Sequence, residues 1–309
     1  MKKYKQILWL LIGAALIASL FINQPRFIDA HTIDLIDQAR QLDLEKYWPG
    51  YQPDIYPVEV YKKNLLKSDS IIRYDKNEIY EIKNKTPIYA LSMDVDPDGQ
   101  AVLMATTARD FRSLSDVGNY DGPSADLSYQ AVLLHEAFHC FQFDQGFYDL
   151  FEKSMSAYKK STVVTTSRKL DNDPEYQKLW IDEMNRLIDY AKEDNAQNHQ
   201  AYVNSYQVRL DYVYSSFDAK DADEYLSYSA LYEKAEGTAQ YIENMALSQL
   251  SGKELKFSIT GYGNDTSKFY DSGFLKAYIL DQKEGLDWKT DFFKTDKTFE
   301  DYLLEADCL

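Results

Sequence analysis

Histidine is scarce in this chain, with four among 309 residues. Cysteine is scarcer, with two, so at most one disulfide can form and a small scaffold knit by bridges is excluded. Positive charge is in deficit: 34 Lys and Arg stand against 50 Asp and Glu, a formal charge of −16. Such a surface repels phosphates, so no nucleic-acid partner is expected. Long apolar runs are missing except for one at the N-terminus, which excludes an enzyme working inside a membrane. No internal repeat, low-complexity tract or linker interrupts the chain after residue 29, so residues 29–309 read as one domain.

The one apolar run belongs to a separate object, residues 1–28. Lys2, Lys3 and Lys5 precede an unbroken apolar stretch over residues 7–22, the layout of a secretory signal peptide or of an uncleaved signal anchor. No small-residue cleavage site follows, and no cysteine lies nearby to take a lipid. The lysines hold the N-terminus in the cytoplasm. The rest of the chain is therefore expected outside the cell, anchored to the membrane through this segment or secreted.

Hydrophobic residues make up 45% of the chain and tyrosines number 26, ample for a packed core. Periodicity predicts an α+β fold, mainly helical, with a small N-terminal antiparallel or mixed sheet and a C-terminal helical lobe. A helical pattern over residues 32–48 stops at Pro49-Gly50. Residues 51–109 are β-rich. Their clearest hairpin joins residues 88–91 to residues 101–106 through Asp96-Pro97-Asp98-Gly99, a turn by composition. Residues 124–309 read as helical, with Ser124 or Asp126 as a cap, Gly146 as a stop and Asp173-Pro174 as a fresh start. The polar residues 193–200 predict a solvated loop carrying His199, and residues 225–250 predict one helix.

Two of the four histidines fall in His135-Glu136-Ala137-Phe138-His139, inside an apolar helical pattern. Imidazoles four residues apart share a helix face, and both can reach one zinc ion at roughly 2.0–2.1 Å. Glu136, next to the first ligand, is placed to act as base toward a water at that ion. A catalytic site needs a third protein ligand and a vacant fourth position. His199 and His31 are weak candidates. Glu233, Glu236 and Glu243 are better, and Glu236 is the choice, because Ala235, Gly237 and Ala239 beside it permit two helices to approach closely. Glu233 or Glu243 could then hold a histidine N–H from behind. Cys140 points away from His139 around the helix and reads as a buried small residue or as one end of a bridge to Cys308.

The motif, followed about a hundred residues later by Glu236-Gly237-Thr238-Ala239-Gln240-Tyr241, resembles the gluzincin group of zinc metallopeptidases, the thermolysin-like superfamily, in an exported bacterial branch. Phe269-Tyr270-Asp271-Ser272-Gly273 resembles the helix that follows in such branches. The resemblance implies a zincin-like fold, Zn²⁺ as cofactor and a peptide or protein as substrate. It also implies a neutral donor to the developing oxyanion, for which Tyr270 is the candidate. A strand just before the metal helix, here residues 101–106, is implied as the edge along which substrate lies. The third-ligand motifs of the thermolysin and aminopeptidase branches are absent, which leaves the substrate open. The competing expectation is an exported zinc-binding or surface-interaction module without hydrolytic activity.

Overall fold

The computed structural model describes residues 28–62, 69–76, 78–82, 91–115, 124–157, 160–259, 262, 266–283 and 287–305. Residues 1–27 of the expected signal segment 1–28, residues 88–90 of the expected strand 88–91, and Cys308 lie outside them.

Helix α1 (Ala30–Arg40) opens on Asp29, whose carboxylate accepts from the Thr32 amide. It ends earlier than its periodicity suggests, and the chain reaches Gly50 through turns that bury Leu44 and Trp48. Five strands follow: β1 (Val58–Lys62), β2 (Ser70–Asp75), β3 (Glu78–Ile82), β4 (Ser92–Val95) and β5 (Ala101–Thr106). They form one mixed sheet in the order β3-β2-β1-β5-β4, with β1 and β5 parallel and the other neighbours antiparallel. The Pro-Asp-Gly turn forms as read. The Gly99 amide donates to the Asp96 carbonyl at 2.9 Å, and Gly99 takes φ +84°, a conformation that favours glycine.

One expectation fails here. Strand β5 is not an edge: it lies between β1 and β4, and β4 is the edge on that side. Every residue of β5 is buried, which is why it reads as a continuous apolar run rather than an alternation. Its hairpin partner among the described residues is Ser92–Val95.

The rest is helical: α2 (Ala108–Ser115), α3 (Ala125–Asp144), α4 (Phe147–Ala157), α5 (Lys160–Asp171), α6 (Pro174–Lys192), α7 (Ala196–Ser216), α8 (Ala219–Tyr232), α9 (Thr238–Ser251), α10 (Lys268–Asp281) and α11 (Phe299–Glu305). Ser124 caps α3 and Asp173 caps α6. Residues 193–200 do not form a loop throughout. Asn195 accepts from the Asn198 amide and starts α7 at Ala196, so cap chemistry overrides the polar composition. His199 is consequently buried, with its ring 5.3 Å from that of Tyr190, and is not the solvated residue its neighbours suggested.

Helix α3 is the centre of the molecule. It is apolar on nearly all sides, as a helix enclosed by others must be. Tyr129 donates to the Thr106 carbonyl at 2.9 Å and pins α3 to β5, while Tyr51 donates to the Leu134 carbonyl at 3.0 Å. Behind it Trp48, Phe138, Phe141 and Phe293 pack with ring centroids 5.1–6.4 Å apart, a range that favours edge and offset contacts. Cys140 is fully buried and free.

Candidate metal centre

The face of α3 adjacent to that aromatic cluster carries His135, His139 and Gln142, all buried. The segment Glu233–Gly237 packs nearby, and it is a π-helical turn between α8 and α9. Residues 225–250 are thus one continuous rod with a widened turn inside it, a feature that recurs at functional sites. The widening matters for direction. Glu236 and Glu243, seven residues apart, both aim at α3, whereas Glu233 is rotated out of line. Glu233 accepts from Ser272 and from Lys276, each at 2.7 Å, and Lys276 also pairs with Glu300. Of the two reserve carboxylates, only Glu243 serves a histidine.

Three atoms converge. His135 Nε2 lies 3.4 Å from Glu236 Oε2, and His139 Nε2 lies 3.3 Å from the same oxygen. Ligands about 2.05 Å from a tetrahedral ion are separated by roughly 3.3 Å, and these two spacings are compatible with that separation. The three ligand atoms lie within 4.8 Å of one another, and this group could hold a metal ion.

The far sides of both imidazoles are also held. Gln142 lies 2.7 Å through Nε2 from the Ala235 carbonyl and 2.8 Å from Thr238 Oγ1. A carbonyl only accepts, so Nε2 faces it and Oε1 faces His139 Nδ1, at 2.8 Å. Nδ1 must then carry the hydrogen, leaving the Nε2 lone pair for a cation. His135 Nδ1 lies 3.0 Å from Glu243 Oε2. The oxygen sits off the N–H direction, making this an ion-pair contact, and it too favours a proton on Nδ1. Gln142 was not singled out from the sequence. The available signal was a polar residue three positions after His139, on the ligand stripe of an otherwise apolar helix.

Electrostatics agree with a cation-shaped site. Burial opposes charge on His135, but Glu236 and Glu243 overcome it and raise the imidazole to about 10. Burial likewise opposes ionisation of Glu236, and the two imidazoles reverse it, driving the carboxyl well below the usual range. Glu136 is mostly buried; desolvation raises its carboxyl, opposed by the two imidazoles and reinforced by Glu236 and Glu243. Tyr270 lies at the site, its ring stacked on His135 with centroids 5.7 Å apart and planes at 10°. Desolvation raises its phenol strongly, with the charge of Glu236 and a hydrogen bond to it adding to the effect. Tyr148 of α4 is a second phenol near the centre, raised by burial and then by Glu236 and Glu136; nothing in the sequence separated it from the other tyrosines.

Gly237 has a different role from the one its position suggested. A Cβ there would lie 2.3 Å from Gly273 Cα, and a Cβ on Gly273 would lie 2.6 Å from the Glu233 carbonyl oxygen. The close approach is between the π turn and α10, the helix carrying Tyr270, not between the π turn and α3. Comparison with family models, curated proteins and solved structures finds no match to the chain.

Proposed function

We propose that this chain is a zinc-dependent hydrolase of gluzincin type, an extracytoplasmic peptidase in which His135, His139 and Glu236 hold the ion. The observation that carries the reading is the meeting of both histidines on one Glu236 oxygen at zinc-ligand spacing, with Glu136 adjoining. A divalent ion held there supplies Lewis-acid chemistry, polarising a carbonyl and making a water easier to deprotonate. The remaining work falls to the protein. Glu136 takes the proton of the attacking water and returns it to the leaving amine; its raised carboxyl makes it the stronger base. The Tyr270 hydroxyl donates to the carbonyl oxygen as negative charge grows on it. Glu243 and Gln142 keep both imidazoles in the tautomer that ligates. Strand β4, at the end of the described sheet, is where an extended peptide would add by strand pairing. Residues 1–28 anchor or export the chain.

Glu136→Gln tests the chemistry, because an amide cannot accept the proton. The expected result is unchanged zinc content with hydrolysis of a general peptide library lowered by about 10²–10⁴-fold. A variant as active as wild type contradicts the mechanism. A wild type that binds zinc yet cleaves nothing in the library supports instead the zinc-binding or surface-interaction module.

A further inference from the structure

We propose that a second cavity, separate from the metal centre, binds a small tetrahedral oxyanion of the phosphate or sulfate class. It has a volume of about 300 Å³ and lies between α4, α8, the π turn and residues 295–298. Its floor is Lys234, which is 3% exposed. Two of the three ammonium hydrogens go to the Thr295 and Lys297 carbonyls, at 2.7 and 3.0 Å, and the ammonium lies 4.3 Å from the Phe292 ring centroid. Among the described residues no carboxylate reaches ion-pair distance; Asp296 and Asp301 act on Lys234 only from further off. A buried cation normally has an anionic partner, because carbonyl dipoles replace only part of its lost hydration.

A second observation points the same way. Thr295 Oγ1 is buried without a hydrogen-bond partner, and such groups are rare unless something absent satisfies them. Ser154 on α4 and Ser227 on α8 also line the cavity with hydroxyl side chains, whereas the Thr298 hydroxyl is engaged with Asp301. Hydroxyl side chains from α4, α8 and the 295–298 segment share this lining with Lys234, and such a donor set suits a tetrahedral acceptor with several oxygens; two donors would suffice for a planar carboxylate. Asp296, exposed on the same lining, opposes an anion and limits its affinity. The site is independent of the hydrolase reading, since none of its residues is assigned a part in hydrolysis.

The test is thermal unfolding of the full-length protein at fixed ionic strength, with chloride replaced stepwise by inorganic phosphate or by a small phosphate monoester. The expected result is a saturable rise in Tm of about 2–4 °C at tenfold excess over half-saturation. Lys234→Met should abolish the saturable part, Thr295→Val should weaken half-saturation about fivefold, and Asp296→Asn should tighten it. If Lys234→Met fails to fold, the other two variants decide. A response to the monoester alone assigns the site to esters, and a response to both assigns it to the free ion as well. No rise, or a linear rise identical in wild type and variants, which is the general salting effect of phosphate, overturns the proposal.

Discussion

At the scale of single residues, the site is built from groups whose second hydrogen-bonding atom is already committed. Gln142 matters most because it touches two things at once, the imidazole of His139 and the π-turn carbonyl of Ala235. Gln142→Leu keeps the volume but releases the ring to rotate and removes the donor to Ala235. Zinc affinity, read by competition with a chelator, should fall about 10–100-fold, with a smaller loss for Glu243→Gln, whose contact to His135 is less well aligned. Retention of full affinity in Gln142→Leu would show that the ring needs no such support. The three residues that converge were legible in the sequence: the i, i+4 histidine pair is a statement about helix geometry, and Glu236 stood out by its small neighbours. Gln142, Tyr148 and the burial of His199 were not, because each depends on which helix arrives opposite, and local spacing does not encode that.

At the scale of elements, the π turn is the part that periodicity could not reveal. Residues 225–250 carry no breaker except Gly237 and read as a plain helix. The extra residue in one turn sends Glu233 toward Lys276 and leaves Glu236 and Glu243 facing the histidines. Its position is fixed from one side by Gln142 and Thr238 and from the other by α10 through Gly237 and Gly273. Gly237→Ala must push these backbones apart. The expected cost is about 1–3 kcal/mol of stability, measured by denaturant unfolding, accompanied by weaker zinc binding because Glu236 moves with the turn. A variant of wild-type stability would mean that the two backbones have room to separate. The sheet teaches the complementary point. Strands β1, β2, β3 and β5 were readable from their apolar residues and from the turns between them, and β4 was not. The strand order was not, since the parallel pairing of β1 with β5 joins residues far apart in sequence.

At the scale of the whole molecule, the buried imidazole–carboxylate cluster ties stability to pH and to metal. In the ion-free protein His135 is raised from 6.5 to about 10. Its protonation therefore stabilises the fold fully below pH 6.5, and that contribution is lost as pH rises through about 10. Glu236 is depressed below 4.5, so its contribution is present above pH 4.5 and is lost on acidification below that value. Chelator-treated protein should show its highest Tm between those limits and a fall on the alkaline side that Glu236→Gln removes. A flat profile from pH 6.5 to 10 in treated wild type would mean that no proton is shared there. Zinc in place of the proton should flatten that alkaline fall.

The most direct measurement is the metal content of the purified protein by elemental analysis, wild type beside Glu236→Ala, after equilibration with zinc and removal of the excess. One zinc per wild-type chain, lost together with hydrolysis from the variant, is the expected result. A wild type without zinc, or a variant that holds the ion as tightly as wild type, would contradict a centre made of His135, His139 and Glu236.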